Sequence, residues 1–328
     1  MKEFQLCGLG NAIVDLFLEV SDQQFADFGF ERGTMRLVDV AEQQVLLNRT
    51  ANPRLVSGGS VGNSVIGFAQ LGGRAAYIGT LGSDAYGEHY QKELKDLGIA
   101  MGQAILKEEN TGTSCVLITP DAERTMRTCL GAAEKLSGKH VAADRKLIEA
   151  SEWVFIEGYL FSNNEPGQQA VREALAVAAA ANTKIAITCS DAFIVHVFGH
   201  ALKDALNQAD LFFCNAAEAM AVTNTADSQL AFEAMKDIVP NCVVTDGPAG
   251  AYIRWEGKEC HVPAFRTEPK DLTGAGDMFA AAFLYGVLHG HSPEAAGRGA
   301  NYLASRVIRQ VGARLDIDID AAKAEFRA

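Results

Sequence analysis

Positive charge is scarce in this chain: 29 lysines and arginines stand against 41 aspartates and glutamates, a net charge of −12 over 328 residues. Nucleic acids and anionic membranes are bound through clustered Lys and Arg, so this balance argues against both as partners. Any phosphate site must then be local, built from backbone amides and a few cations. Long hydrophobic runs are missing too. No apolar segment approaches the roughly 20 residues of a membrane-spanning helix, and the first residues lack the charged, apolar, small-residue pattern of a secretory leader. Paired cysteine motifs are absent. The seven cysteines (Cys7, Cys115, Cys129, Cys189, Cys214, Cys242 and Cys260) are odd in number, widely spread and mostly set in apolar runs such as LFFC and IAITC. That argues against disulfides and zinc, and predicts buried free thiols in a reducing, cytoplasmic setting. The seven histidines have no metal-ligand spacing and are expected at structural or surface positions.

Two nucleotide signatures are incomplete. Gly8-Leu9-Gly10 has no third glycine, and β-branched residues with Asp and Phe follow it where a dinucleotide fingerprint would start a helix. Ser57-Gly58-Gly59-Ser60-Val61-Gly62-Asn63 is glycine-rich but leads to no Gly-Lys-Ser/Thr, so it is not a Walker A loop. Repeats, low-complexity tracts and linkers are also wanting. What remains is a chain 48% hydrophobic, enough to fill the core of one large α/β domain or two smaller ones.

The periodicity predicts strands over 4–9, 12–20, 33–38 and 76–81, and helices over 41–49, 64–70 and 86–97. Asp15 interrupts the second strand; an acid in an apolar strand is expensive without a partner, which makes it either internally paired or a ligand for hydroxyls, the second being favoured. In the loop at 57–63, glycines admit a ligand close to the backbone, and Asn63 can both donate and accept, which suits vicinal hydroxyls; the alternative is a tight turn before a helix. Strands over 112–119 and 125–130 flank Pro120 to Arg124, a hairpin signal whose Arg124 is either a cation for a phosphate or a solvated surface residue. From Trp153 the pattern turns regular: strands over 153–156, 184–189 and 211–214 alternate with helices over 168–181, 194–207 and 216–222, the mark of a parallel sheet covered on both faces. A last helix is expected over 301–310.

Such sheets bind ligands beyond the carboxyl ends of their strands. Three features fall there: Asn215-Ala216-Ala217-Glu218, the segment Thr245-Asp246-Gly247-Pro248-Ala249-Gly250, and Asp271-Leu272-Thr273-Gly274-Ala275-Gly276-Asp277. Asn215 and Glu218 share one helical turn, which suits a hydrated Mg²⁺ and equally suits a capping box. The third feature leads straight into an apolar run, residues 278–288. A small-residue turn at the start of a buried helix aims N–H groups at one point, where the dipole adds about half a positive charge, and so forms an anion hole. A carboxylate inside such a hole needs a chemical reason. General-base catalysis supplies one: Asp277 takes the proton of a hydroxyl while the amides of Gly274, Ala275 and Gly276 stabilise the group that the hydroxyl attacks. The implied reaction is phosphoryl transfer to an alcohol. The alternative is a tight turn with Asp277 as a favourable N-terminal charge.

Together, DLTGAGDMFAAAFLYG, SGGSVGNSVIGFAQLGG, the N-A-A-E segment and the T-D-G-P-A-G segment resemble, in order and spacing, the motifs of the ribokinase-like (PfkB) family of carbohydrate and nucleoside kinases. Within it, GLGNAIVDLF, the TGTS at 111–114 and NYLASRVIRQVGA are most similar to adenosine kinases. The resemblance implies a doubly wound α/β core with a mostly parallel sheet flanked by helices, in a single domain spanning 1–328. It also implies a small β lid drawn from segments near 12–20, 33–38, 112–119 and 124–130. It further implies roles. Asp277 would be the base, Gly274 to Gly276 the anion hole, and Arg124 a lid cation for the transferred phosphate. Asn11, Asp15, Gly58, Gly59 and Asn63 would hold sugar hydroxyls, with Met126 and Leu130 against a purine. Asn215, Glu218, Thr245, Gly247 and Gly250 would lie at ATP and Mg²⁺, Glu218 reaching the metal through water, and Asp271 with Thr273 at a monovalent cation such as K⁺. The implied acceptor is a purine nucleoside. The alternatives are a hexose or pentose, or a catalytically silent nucleoside-binding regulator. A monomer and a homodimer paired through its lids are both compatible with the resemblance.

Overall fold

Short buried strands rich in β-branched and aromatic residues, each followed by a helix, pack best as a parallel sheet covered on both faces. In the computed structural model, which describes residues 2–50, 53–121 and 123–327, that sheet is built from strands distributed along most of the chain. In chain order the strands are β1 (Phe4–Leu9), β2 (Ile13–Glu19), β3 (Met35–Leu37), β4 (Arg54–Gly58), β5 (Ala75–Ile78), β6 (Leu81–Gly82), β7 (Ala100–Met101), β8 (Ile105–Leu106), β9 (Gly112–Ile118), β10 (Arg124–Cys129), β11 (Ser151–Glu157), β12 (Lys184–Thr188), β13 (Leu211–Asn215), β14 (Asn241–Thr245), β15 (Ala251–Trp255) and β16 (Lys258–Val262). The main sheet runs β16-β15-β14-β13-β12-β11-β1-β5-β7. It is parallel except at one edge, where β15 and β16 close it as an antiparallel hairpin.

Side-chain alternation divides the core. Leu6, Trp153, Phe155, Leu211 and Phe213 face the layer that holds helices Ser60–Gln70, Ala275–Leu288 and Pro293–Val307. Cys7, Leu9, Val154, Ile156, Ile187 and Phe212 face the opposite layer, with helix Asn164–Ala181. The seven cysteines are free, and all but Cys260 are buried. Among the described residues no helix is long and apolar enough to cross a membrane.

A second, smaller sheet, β3-β10-β9-β2-β4, holds the segments expected of a lid. Its register places Asp15 opposite Ser114, Ser114 opposite Thr128, and Thr128 opposite Leu37. One row further, Phe17, Val116, Met126 and Met35 are aligned. Partners directly opposite in a ladder share a face, so an acid, two hydroxyls and an apolar strip lie side by side.

Several sequence expectations need correction. The lid has a fifth strand, β4, whose Ser57 and Gly58 read as loop in the sequence yet pair with Val14 and Ile13. Leu130 lies beyond the last lid strand, because Gly131 at φ 49° turns the chain into a 3₁₀ turn at Gly131–Lys135. The last core helix is Pro293–Val307, well ahead of the expected 301–310; Ser292 caps it through the N–H of Ala295, and proline sits at its first turn. Ala122, within the expected hairpin tip, lies outside the described residues.

Candidate active site

Helix Ala275–Leu288 begins at Gly274, whose φ of 78° is left-handed and whose missing Cβ leaves room for Ala313; a methyl there would lie 2.4 Å from the Ala313 Cβ. No side chain caps this helix; the Ala275 N–H donates to the Leu272 carbonyl at 3.3 Å, while those of Gly276 and Asp277 in its first turn are open to an acceptor. Asp277 stands in that first turn. Its Oδ1 accepts from the Ser60 hydroxyl at 2.7 Å, and its Oδ2 accepts from the Asn63 amide at 2.9 Å. Burial pushes its carboxyl up to about 6, while the Asn63 and Ser60 hydrogen bonds and the charge of Arg314 pull it down. Such a group is ionised at neutral pH yet basic enough to take a proton.

Both motif helices are placed by the same logic. Gly59, at φ 87°, starts helix Ser60–Gln70, and any Cβ there would meet the Asn11 carbonyl at 2.0 Å. That close approach aligns Ser60 and Asn63 with Asp277. Asp15 reaches toward the same cleft from β2, beside Gly58, where a Cβ would lie 2.6 Å from the Asp15 Oδ2. Burial raises Asp15 to about 7; Arg314 and Arg124 lower it and Asp277 raises it, with no hydrogen bond contributing. Among the described residues Asp15 thus has no internal hydrogen-bond partner, only the nearby charges of Arg314 and Arg124.

Asn11 is arranged differently. It is 2% exposed, gives its amide to Glu157 Oε1 at 2.8 Å and takes one from Asn163 at 2.6 Å. Both of its polar ends face inward, and it braces the site from behind. Glu157, at the carboxyl end of β11, also accepts from the Val61 N–H at 3.1 Å, and burial lifts it to about 7.

Two cavities meet at Gly276, next to Asp277. One, of about 200 Å³, is lined by Ser60, Thr188, Ser190, Asn215, Glu218, Thr245, Gly276 and Asp277. The other, of about 460 Å³, shares Thr245, Gly276 and Phe279 with it and extends past Gly247, Gly250, Phe265 and Ala304. A polar chamber joined to a larger apolar one suits a polyphosphate joined to a flat base. Asn215 and Glu218 form a capping box on helix Ala216–Thr223: the Asn215 Oδ1 accepts from the Glu218 N–H at 2.9 Å, and the Glu218 Oε2 accepts from the Asn215 N–H at 2.9 Å. Of the two alternatives for this pair, the capping box is formed; its carboxylate, raised to about 7 mainly by burial, also lines the polar chamber.

Arg124 opens β10 and crosses from lid to core. Its guanidinium pairs with Asp271 and donates to the Thr273 hydroxyl, and burial lowers it to about 10. Asp271 also accepts from the Thr273 N–H and the Gly312 N–H, each at 2.6 Å. A guanidinium and two amides thus fill the oxygens expected at a monovalent cation, and in this arrangement the residues do not fit K⁺.

Residues 33–320 match the family described as pfkB family carbohydrate kinase. The chain belongs to that family. This pfkB kinase has the ribokinase-like fold and is an ATP-dependent phosphotransferase acting on a small molecule. It is similar to adenosine kinase 1 of Arabidopsis thaliana, 27% identical with 94% of each chain covered. Among solved structures it is similar to a probable sugar kinase from Rhizobium etli CFN 42, with a TM-score of 0.90 at 31% identity covering 99% of both chains. It is similar also to the adenosine kinase from Sinorhizobium meliloti, with a TM-score of 0.89 at 31% identity covering 98% of this chain and 99% of that one.

Several residues around the pfkB site stand out little in the sequence. Ser60 sits inside the glycine loop, where Asn63, both donor and acceptor, carries the stronger signal. Glu157 is an acid ending a buried apolar strand, the same signal that marked Asp15. Ser190 holds φ 71° beside the polar chamber and accepts the Gly158 N–H at 3.0 Å, a left-handed backbone that the sequence does not display. Arg314 has no local signal at all.

Proposed function

We propose that this kinase transfers the terminal phosphoryl group of ATP to the 5′-hydroxyl of a purine nucleoside, adenosine first. The observation that carries this reading is the lid face. Asp15 offers a carboxylate free of hydrogen bonds, Ser114 and Thr128 share a hydroxyl contact at 2.8 Å in the same row, and Phe17, Val116, Met126 and Met35 form the adjoining apolar row. Met35 and Leu37 keep 45% and 54% of their surface exposed. A free pentose has no flat apolar face to cover such side chains, whereas a purine does.

In this reading the Asp15 carboxylate accepts ribose hydroxyls, and the 5′-hydroxyl lies against Asp277, which takes its proton as the oxygen attacks the terminal phosphorus of ATP. The amides of the Gly274 to Gly276 turn hold the equatorial oxygens, and ADP leaves toward the larger cavity. Arg124 is poised to exchange its Asp271 contact for the transferred group. Mg²⁺, when bound near Asn215 and Glu218 through water, supplies charge neutralisation for the phosphates. The fit there rests on a buried carboxylate facing a polar chamber.

The test is an acceptor panel: ATP with adenosine, inosine, cytidine, ribose, fructose and glucose, with ADP release and product mass as readouts. Adenosine turning over faster than the free sugars supports the proposal. Turnover with a sugar but not with any nucleoside replaces it by the pentose or hexose reading, and silence across the panel favours a nucleoside-binding regulator.

A further inference from the structure

Asn63 presents one polar atom to Asp277, and which atom that is decides what the base feels. The two ends of an asparagine amide are nearly identical in shape, so hydrogen bonding alone chooses between them. Here the choice is made from a distance of 251 residues: the Arg314 Nη1 donates to the Asn63 Oδ1 at 3.0 Å. A flipped amide would set its NH₂ against the guanidinium, donor against donor, and leave Asp277 facing a carbonyl oxygen.

Arg314 is itself held through all three guanidinium nitrogens. Its Nε donates to the Glu93 Oε1 at 2.6 Å, and its Nη2 donates to the Ser57 carbonyl. Its backbone is clamped as well, since Gly312 gives its N–H to Asp271, and the Leu315 N–H and carbonyl meet the Gln70 amide, each at 3.3 Å. Arg314 is moreover the cation common to Asp15 and Asp277. The other charged groups around Asp277 are Glu157 from β11 and Glu218 from helix Ala216–Thr223, both acidic, with Arg124 reaching Asp15 from the lid.

From this geometry we infer that Arg314 is a positioning residue for phosphoryl transfer: held by Glu93 and the Ser57 carbonyl, it locks the Asn63 amide in the orientation that aims Asp277 at the acceptor hydroxyl. The inference rests on Asp277 acting as the base. A fixed carboxylate plane matters because a misplacement of about 1 Å at the reacting atoms can slow a reaction roughly 100-fold.

The experiment is a double-mutant cycle with ATP and adenosine, or ribose where the nucleosides are silent. Arg314→Met is expected to lower kcat roughly 10- to 100-fold with KM for ATP nearly unchanged. Asn63→Ala is expected to lower kcat comparably, and the double variant to be little worse than either single one, because the arginine acts through the amide. Arg314 borders an open cavity of about 800 Å³ that also holds Phe17, Arg54 and Gly312, so millimolar guanidinium should partly restore Arg314→Met and leave Asn63→Ala unmoved. Independent, multiplying losses, or Arg314→Met with kcat near wild type, would overturn the inference. Should Arg314→Met not fold, Arg314→Lys carries the same cycle; should neither fold, the residue is structural and the inference fails. Asp277→Asn is measured alongside. If it keeps near-normal kcat the base reading falls, whereas an inactive Asp277→Asn with an unaffected Arg314→Met removes only the positioning role of Arg314.

Discussion

Asp277 is asked to be anionic, basic and close to a phosphate at once, and its surroundings reconcile these demands. Burial raises its carboxyl to about 6, and the Ser60 and Asn63 donors together with the Arg314 charge keep it from rising further. A base must be unprotonated to act, so kcat should climb with pH through about 6 and level off above it, while protonation silences the enzyme below. Asp277→Asn should lower kcat roughly 10²- to 10⁴-fold and remove this limb, with ATP binding retained; steady-state rates measured from about two pH units below the transition to about two above check it. A variant that loses turnover but keeps the acid limb would assign the limb to another carboxylate, Asp15 or Glu157 being the next in reach. Asp277 was legible in sequence because a carboxylate in a glycine turn before an apolar helix is chemically odd. Arg314 was not, because its meaning comes from Glu93, Ser57 and Asn63, none of them near it in the chain.

The turn that begins helix Ala275–Leu288 separates two kinds of glycine. Gly274 is left-handed and faces Ala313, whereas Gly276 has right-handed helical backbone and nothing within 4 Å of where a Cβ would stand. Gly274→Ala should therefore lower thermal stability, with about 1–2 kcal/mol from the backbone and more from the contact with Ala313. Gly276→Ala should keep or slightly raise stability, since alanine suits a helix better by roughly 0.5–1 kcal/mol, yet slow transfer by placing a methyl in the phosphate chamber. Melting temperature and kcat measured together distinguish them; equal destabilisation by both would mean that the turn is only a structural element. The sequence announced this turn by its composition, and it announced the alternation of strand and helix after Trp153 by period. It hid β4, whose two glycine-rich turn residues belong to a strand because Tyr90 donates to the Gly58 carbonyl at 3.1 Å and β2 pairs alongside. It hid the β15–β16 edge as well, where Lys258, Glu259 and His261 face solvent and dilute the strand pattern.

Across the whole molecule, the small sheet and the core bring several acids into one cleft. Asp15 from the lid, and Glu157, Glu218 and Asp277 from the core, all lie above their ordinary values, at about 7, 7, 7 and 6, with burial the first cause in each. A carboxyl that titrates higher folded than unfolded holds its proton more tightly in the folded state. Its contribution to stability is complete below the unfolded value, near 4, and is lost as pH rises through 6 to 7. Glu93 works in the opposite sense: Arg314 and Ser57 outweigh its burial and hold it below the usual range, so what it contributes is present above its unfolded value and disappears in stronger acid. The two trends should place maximal stability of the free protein on the acidic side of neutrality, about pH 5, with the melting temperature falling toward pH 8, where the base is ready and the site is most strained. Asp15→Asn tests the assignment, because Asp15 has no hydrogen-bond partner to lose. It should raise the melting temperature at pH 8 more than at pH 5, since the neutral amide no longer repels Asp277, and weaken acceptor binding, since an amide has one accepting oxygen where the carboxylate has two. An equal shift at both pH values would show that the acids of the cleft do not govern the pH dependence, and that folding and catalysis make no opposing demands on this site.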